Sequence, residues 1–457
     1  MPDSSVLIAA WYFPPDGGAG SQRPASFAKH LPGLGWNCRV ITRSESISRG
    51  RWDHFDRSLL SQVSNSTEVV RVDDSGPFAD SKFPGERSVK SRIGPFCRRV
   101  LDEVARTSPD VLLLTMSPFI LSEVLNRIPE DSPTKVVVDL RDPWTLDYWP
   151  VFISSATRRR QHLLMGRMLE RADGIVMNTT EATSQCLEIF GQHLSPKTLT
   201  LENGFEADQF PAQSVRPPFR SSDRLRIMHT GTFHCESLHP KTGIRARIAG
   251  LRHVSRGTID RTGRTPHHLF RAAGILRDEN PEFASRLQFD FLGDVDASLN
   301  ACVRDGGFSS QTTLHGYQDH DRMLEMMLGA DALFLPGGRL DAHVRDPITP
   351  GKTYEYLASG RPVLAALHPG SGLDLVTSCP GVFPCEPCSP RTIADAITAT
   401  AAFLDSGGDH ALMEERRLLI APFLRSALTE RLSDFMKRVK RVKRVKRASE
   451  DGSDSGE

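Results

Sequence analysis

Short apolar, β-branched runs alternate along this chain with stretches in which apolar residues recur every three or four positions. The first pattern marks strands buried on both faces and the second marks amphipathic helices. Together they predict parallel sheets with helices packed on both sides. In the first half the expected strands are 6–10, 39–42, 68–72, 111–115, 135–140, 174–178 and 198–201, and in the second half 225–229, 287–292, 313–315, 332–335, 362–366 and 382–384. Between the two series, 208–223 is rich in proline, serine and charge without an apolar period, which predicts a linker. Residues 391–404 and 410–436 read as helices. Leu424, Leu428, Leu432, Phe435 and Met436 form one apolar stripe there, which Val439, Val442 and Val445 extend at a spacing of three.

A chain of 457 residues exceeds one hydrophobic core. The expected organisation is an α/β pair of doubly wound, Rossmann-like domains at 1–208 and 209–405, a terminal helix at 406–436 that returns toward the first domain, and a tail at 437–457. Such domains present their strand C-termini across a shared cleft, where a ligand is expected.

Composition narrows the function class only slightly. Hydrophobic content of 39% with 25% charge fits a soluble enzyme, and a net charge of +1 excludes a general bias toward nucleic acid. The charge is local: 437–447 reads KRVKRVKRVKR, followed by the acidic SEDGSDSGE. As a helix that run suits transient contact with an anionic membrane surface; nonspecific nucleic-acid binding and a solvated end are the alternatives. The apolar run near the start is short and lacks a basic leader, and no stretch has the length of a membrane span. Cytoplasmic residence is therefore expected, with peripheral attachment at the inner membrane face through the tail. Eight scattered cysteines read as reduced thiols. The cluster Cys379, Cys385, Cys388 has metal-like spacing without an evident fourth ligand, and its surroundings read as strand, loop and helix, so no metal is expected there.

Chemistry concentrates at Asp346-Pro347-Ile348-Thr349-Pro350-Gly351-Lys352-Thr353-Tyr354-Glu355, which runs on to Gly360 and Pro362. Pro350 and Gly351 suit a loop opening a helix, so Lys352 and Glu355 fall in its first turns. Free N–H groups and Lys352 attract a phosphate, while Glu355 accepts from sugar hydroxyls. Asp346 stands where a Walker A loop needs glycine, which excludes that motif. The loop Trp11 to Pro24 follows the first strand with Gly18, Gly20 and Arg23, glycines that admit an anion to the backbone and a cation beside them.

The 346–362 segment resembles the donor-site signature of family 4 nucleotide-sugar glycosyltransferases. Further elements resemble that family. They are the loop at 14–23, Asp139-Leu140-Arg141-Asp142-Pro143-Trp144, Leu201-Glu202-Asn203-Gly204-Phe205, His229-Thr230-Gly231-Thr232-Phe233, Phe291-Leu292-Gly293-Asp294, His315-Gly316-Tyr317 and Asp331 to Pro336. The resemblance spans residues 6 to about 405. It implies a GT-B fold and transfer of a sugar from a nucleoside-diphosphate sugar to a glycan, lipid-linked or small-molecule acceptor, in surface polysaccharide or glycoconjugate biosynthesis. No metal and no cofactor besides the nucleotide sugar as co-substrate are expected, and no specific nucleic-acid partner.

By the same resemblance Lys352 and Arg264 neutralise the leaving diphosphate, and Asp142 contacts the acceptor hydroxyl or acts as its base. Gly231, Thr232, Gly293, Gly351, Lys352 and Glu355 bind the donor, and Gly18, Gly20 and Arg23 form a phosphate or acceptor loop. Two departures stand out. A basic insertion at 235–263 separates Gly231 from Arg264, and reads either as a clamp for an anionic ligand or as a mobile solvated loop. Pro347 stands where retaining members carry a glutamate, which leaves the stereochemistry open. An epimerase or phosphorylase-like enzyme, or a non-catalytic binding protein, on the same fold is the alternative.

Overall fold

The structure is a computed structural model that describes residues 4–45, 54–73, 87–152, 154–210, 224–238, 254–407 and 410–442. Seven parallel strands form the first sheet: β1 (Ser4–Ala10), β2 (Trp36–Arg43), β3 (Glu68–Val72), β4 (Val111–Met116), β5 (Lys135–Leu140), β6 (Gly174–Met177) and β7 (Thr198–Thr200), in the order β3-β2-β1-β4-β5-β6-β7. The second sheet contains β8 (Leu225–Thr230), β10 (Leu287–Leu292), β11 (Thr312–Gly316), β12 (Ala332–Pro336), β14 (Val363–Ala366) and β15 (Val382–Cys385), ordered β11-β10-β8-β12-β14-β15 and again all parallel. A two-residue pair, β9 (Ile259–Asp260) with β13 (Arg339–Leu340), is antiparallel. Strand order reverses between β1 and β4 and between β8 and β12, so each sheet opens a crevice at its strand C-termini.

The alternation of side chains across a strand explains why these runs are apolar throughout. Leu7 and Ala9 point into one core while Val6, Ile8 and Ala10 point into the other, and Leu112 and Leu114 oppose Val111 and Leu113 in the same way. The second sheet repeats the arrangement, with Ile227 on one face and Met228 on the other.

The chain finishes by crossing back. Helix Arg425–Arg441 lays Leu428, Leu432, Phe435, Met436 and Val439 into the core of the first sheet. Trp36 Nε1 donates to Ser433 Oγ at 2.9 Å, and Gly174 leaves room for the Phe435 ring. Val439 is thus core, as the apolar stripe in the sequence has it, and the helix runs on to Arg441 through the start of the stretch read as a basic tail; Lys440 pairs with Asp110 at 2.9 Å, and Val442, which the stripe also included, is exposed. Residues 443–457, most of the linker and 239–253 of the insertion lie outside the described residues. Among the described residues no helix is long and apolar enough to cross a membrane.

The described end of the insertion is docked against the first sheet's loops, which corrects its reading as a mobile, solvated segment. Val254 and Phe152 exchange two backbone hydrogen bonds at 2.8 and 2.9 Å. Arg256 lies over the Tyr148 ring and donates to Gln185 Oε1 at 2.5 Å, and Arg261 donates to the Trp149 carbonyl at 2.6 Å. Arginine stems cover the aromatic faces while their forks bind carbonyls, so the contact holds apolar and polar surface together.

Candidate active site between the two sheets

Two glycine turns build the floor. Gly231 follows β8 with φ 102° and Gly293 follows β10 with φ 137°, a region that disfavours side chains. They touch: a Cβ on Gly293 would lie 2.6 Å from the Gly231 carbonyl carbon and 2.9 Å from Thr232 N. Thr232 Oγ1 donates to Asp294 Oδ2 at 3.2 Å, tying the turns together, and the other Asp294 oxygen meets His54 Nε2 of the first lobe at 2.8 Å.

Lys352 lies against this floor. Gly351 opens the helix Lys352–Ala358, and Tyr356 anchors that helix by accepting from Thr230 N at 2.8 Å. The half-buried Lys352 amine donates to the Thr230 carbonyl, sits 3.3 Å from His229 Nε2, and lies against Gly231 with no room for a Cβ between them. Burial, then the neighbouring Arg264 charge, push its pKa down to about 7, against the opposing pull of Glu355. The helix has only seven residues, so its dipole adds less than the sequence reading assigned to it, and side-chain cations carry the positive charge of the site.

Arg264 acts on the Lys352 amine through its charge although the insertion precedes it. It ends the turn Arg261–Arg264, its guanidinium lies 4.6 Å from the centre of the Trp149 ring, and its carbonyl accepts from His234 N. Burial lowers its pKa, while Asp346 and Asp147 oppose the shift. Those two carboxylates flank Arg264 from opposite lobes; Asp147 was not singled out in the sequence, and Asp346 was named there without a role in the site. Burial raises Asp147 to about 7 and Asp346 to about 6. Asp147 Oδ1 accepts from Trp149 N at 2.9 Å, and Asp346 Oδ1 from Ile348 N at 3.0 Å. Asp142, by contrast, is 49% exposed and lies 3.9 Å from Arg141.

Glu355 is 5% exposed, and its Oε1 has no hydrogen-bond partner. It faces His320 Nε2 at 3.8 Å, also unpartnered, while Arg425 of the terminal helix keeps Nε and Nη1 free and donates through Nη2 to Gln22 Oε1 at 2.6 Å. Gln22 in turn approaches His320 Nδ1 at 3.3 Å. Buried polar atoms left unpaired are destabilising unless a ligand or water completes them, so this junction suits a group with several hydroxyls.

The first glycine loop behaves differently from its reading as a phosphate cradle with Arg23 as cation. Arg23 is 3% exposed; it bonds Asp139 through Nε and Nη2, the closest contact at 2.7 Å, and donates through Nη1 to the Glu202 carbonyl at 2.6 Å. It stitches β5 to the Asn203-Gly204 turn and leaves no fork for a ligand. Arg141 takes its place beside the loop, filling the space a side chain on Gly20 would need and lying over Tyr12. Gly18, at φ 84°, is exposed and leads into the helix Ala19–His30. Asp296, two residues beyond Asp294, caps the helix Ala297–Asp305 by accepting from Leu299 N. Among the described residues no three His, Cys, Asp or Glu side chains are grouped to hold a metal, the Cys379, Cys385 and Cys388 cluster included.

No protein-family model matches the chain, and no curated protein sequence matches it significantly. Solved structures do. Sucrose-phosphate synthase from Thermosynechococcus elongatus is similar with a TM-score of 0.66 at 13% identity, over 95% of this chain and 99% of that one. A glycosyltransferase from Rickettsia africae gives 0.60 at 12%, over 96% and 100%. The UDP-GlcNAc 2-epimerase from Neisseria meningitidis, bound to UDP-GlcNAc, gives 0.51 at 11%, over 95% and 100%. At these identities the likeness establishes the fold, the two-sheet α/β GT-B arrangement expected from the sequence, and nothing finer.

Proposed function

We propose that the protein is a glycosyltransferase that moves a sugar from a nucleoside-diphosphate sugar to a glycan, lipid-linked or small-molecule acceptor. The observation that carries this is the Lys352 amine against the Gly231 turn, which Gly293 backs, with the Arg264 charge near enough to lower the pKa of that amine. A departing diphosphate gains negative charge as the glycosidic bond breaks, and cations held in place beforehand stabilise that change without reorganising. The second lobe (209–405) is then the donor side, and Glu355 with its unpaired neighbours receives the ribose or sugar hydroxyls. The first lobe (1–208) is the acceptor side.

Its raised pKa favours Asp147 over Asp142, whose side chain is half-exposed, as the group that takes the acceptor proton, since a base must ionise near working pH. Domain contacts that exclude water favour transfer over hydrolysis. Incubating the protein with a panel of nucleotide sugars and scoring free nucleoside diphosphate tests the reading. Release with one donor, stimulated by an acceptor, is expected; no release with any donor refutes it. The likeness to an epimerase supports a second reading, in which a nucleotide sugar is isomerised with no acceptor and no net diphosphate release. Product analysis of the same reactions separates the two.

A further inference from the structure

The histidine beside Lys352 has no role in the transfer just described, yet its tautomer is fixed. His229 is 2% exposed, and its Nδ1 lies 2.9 Å from the Phe334 carbonyl oxygen. A carbonyl only accepts, so Nδ1 carries the hydrogen and Nε2 is bare. Nε2 faces the Lys352 amine at 3.3 Å and accepts from it. Phe233, stacked on the imidazole with centroids 4.1 Å apart, holds the ring in that plane. Burial and the adjacent amine keep the ring neutral, which this acceptor role requires. Lys352 is therefore held by two acceptors, His229 Nε2 and the Thr230 carbonyl, with Gly231 beneath it.

We propose that His229 is a positioning residue that parks the Lys352 amine at the Gly231 turn, and that Lys352 takes up a proton from solvent when a nucleoside diphosphate binds beside it. The second half rests on the donor-site reading. The groups facing the amine are His229 and the Thr230 carbonyl on β8, His234 just after it, Arg264 on the following turn, and Glu355 on the lysine's own helix. Burial and the Arg264 charge hold the amine at about 7, so a fraction of free protein carries it neutral at physiological pH. An arriving diphosphate favours the charged form, and the change is the addition of one solvent proton to the amine. The bare Nε2 also favours the ammonium, so removing it shifts the amine further toward neutral.

Two measurements test the halves separately. In free protein labelled with carbon-13 lysine, NMR titration should find one lysine with a midpoint near 7, identified by its loss in Lys352→Met. His229→Phe, which keeps the stacking, should lower that midpoint, and His229→Gln, which restores an acceptor oxygen, should return it. Lysines that all titrate above about 9, or a midpoint indifferent to His229→Phe, overturn the proposal.

Calorimetry with UDP at pH 7.5, in buffers of different ionisation enthalpy, should show uptake of about 0.8 proton per UDP bound. His229→Phe should weaken UDP about tenfold at pH 7.5 and less at pH 6, a pH pattern that a packing defect does not produce. Heats independent of buffer overturn the proton uptake. If UDP, GDP and ADP all fail to bind, the donor-site reading and the uptake fall together, while the lysine titration still decides the role of His229.

Discussion

Replacing Lys352 with methionine should lower activity and raise stability at once. The stem is matched, so packing is kept, and what disappears is a half-buried charge beside Arg264. On the activity side, one preorganised group aimed at developing charge is worth about 10²–10³ in kcat, roughly 3–4 kcal/mol. The loss should fall mainly on kcat, because the ammonium meets more charge in the transition state than in the bound donor.

On the stability side, the amine ionises at about 7 when folded and at 10.5 when free. Between those values the unfolded chain binds more protons than the folded one, so wild-type stability rises with pH through that window and carries the full penalty below 7. The formal penalty is about 5 kcal/mol; water reaching the half-buried amine cuts it to about 2–3. Losing the bond to the Thr230 carbonyl gives back about 1 kcal/mol. A net gain of about 1–2 kcal/mol at pH 6, shrinking as pH rises and turning into a loss of about 1 kcal/mol near pH 11, should appear in urea denaturation. A variant that loses stability together with activity, or whose stability difference ignores pH, would refute the view of Lys352 as a desolvated cation.

Three further perturbations separate structural from chemical roles. Arg23→Ala strands Asp139, which is 0% exposed, without its counter-charge and should cost about 3–5 kcal/mol in urea unfolding; a stable variant with weakened nucleotide binding would make Arg23 a ligand instead. Asp147→Asn should reduce transfer about 10²–10⁴-fold and remove an acid limb near pH 7 from the kcat/KM profile. Because the folded pKa of Asp147 is raised, wild-type stability falls as pH rises from about 4 to about 7, and the asparagine variant should be the more stable one above that; an unchanged rate profile rejects Asp147 as the base. Gly293→Ala forces a Cβ into the Gly231 backbone at positive φ and should cost about 2 kcal/mol or more while abolishing nucleotide binding, whereas full affinity would deny that the two turns form the floor.

The fold was legible because strand signals in a two-faced parallel sheet are strong. Each of the thirteen strands in the two main sheets overlaps a run expected from the sequence. Boundaries drifted where burial extends past the β-branched stretch, as at β2, which begins at Trp36 because Trp36 and Cys38 already alternate inward. The β9–β13 pair escaped notice because two residues a side carry no period.

The candidate site was legible only in part. Lys352, Gly231 and Gly293 announced themselves through turn chemistry, and the structure brings them into contact. The partner of Arg23 lies 116 positions away, and no local pattern distinguishes a guanidinium that binds a ligand from one that binds a buried aspartate. Asp147 and Asp346 owe their importance to burial from two lobes, which emerges only once Trp149 meets Arg264. Arg141 was present in the quoted motif, but its approach to Gly20 depends on how β1 and β5 end on either side of β4.

The central claim is that the space between the sheets recognises a nucleoside diphosphate through two cations. Titrating UDP, GDP and ADP, with the matching monophosphates, into the wild type and into a Lys352→Met, Arg264→Leu double variant tests it most directly. One diphosphate should bind the wild type at least about tenfold more tightly than its monophosphate, and the double variant should lose at least about 100-fold. Equal affinity in the double variant, or no binding of any diphosphate to the wild type, contradicts it.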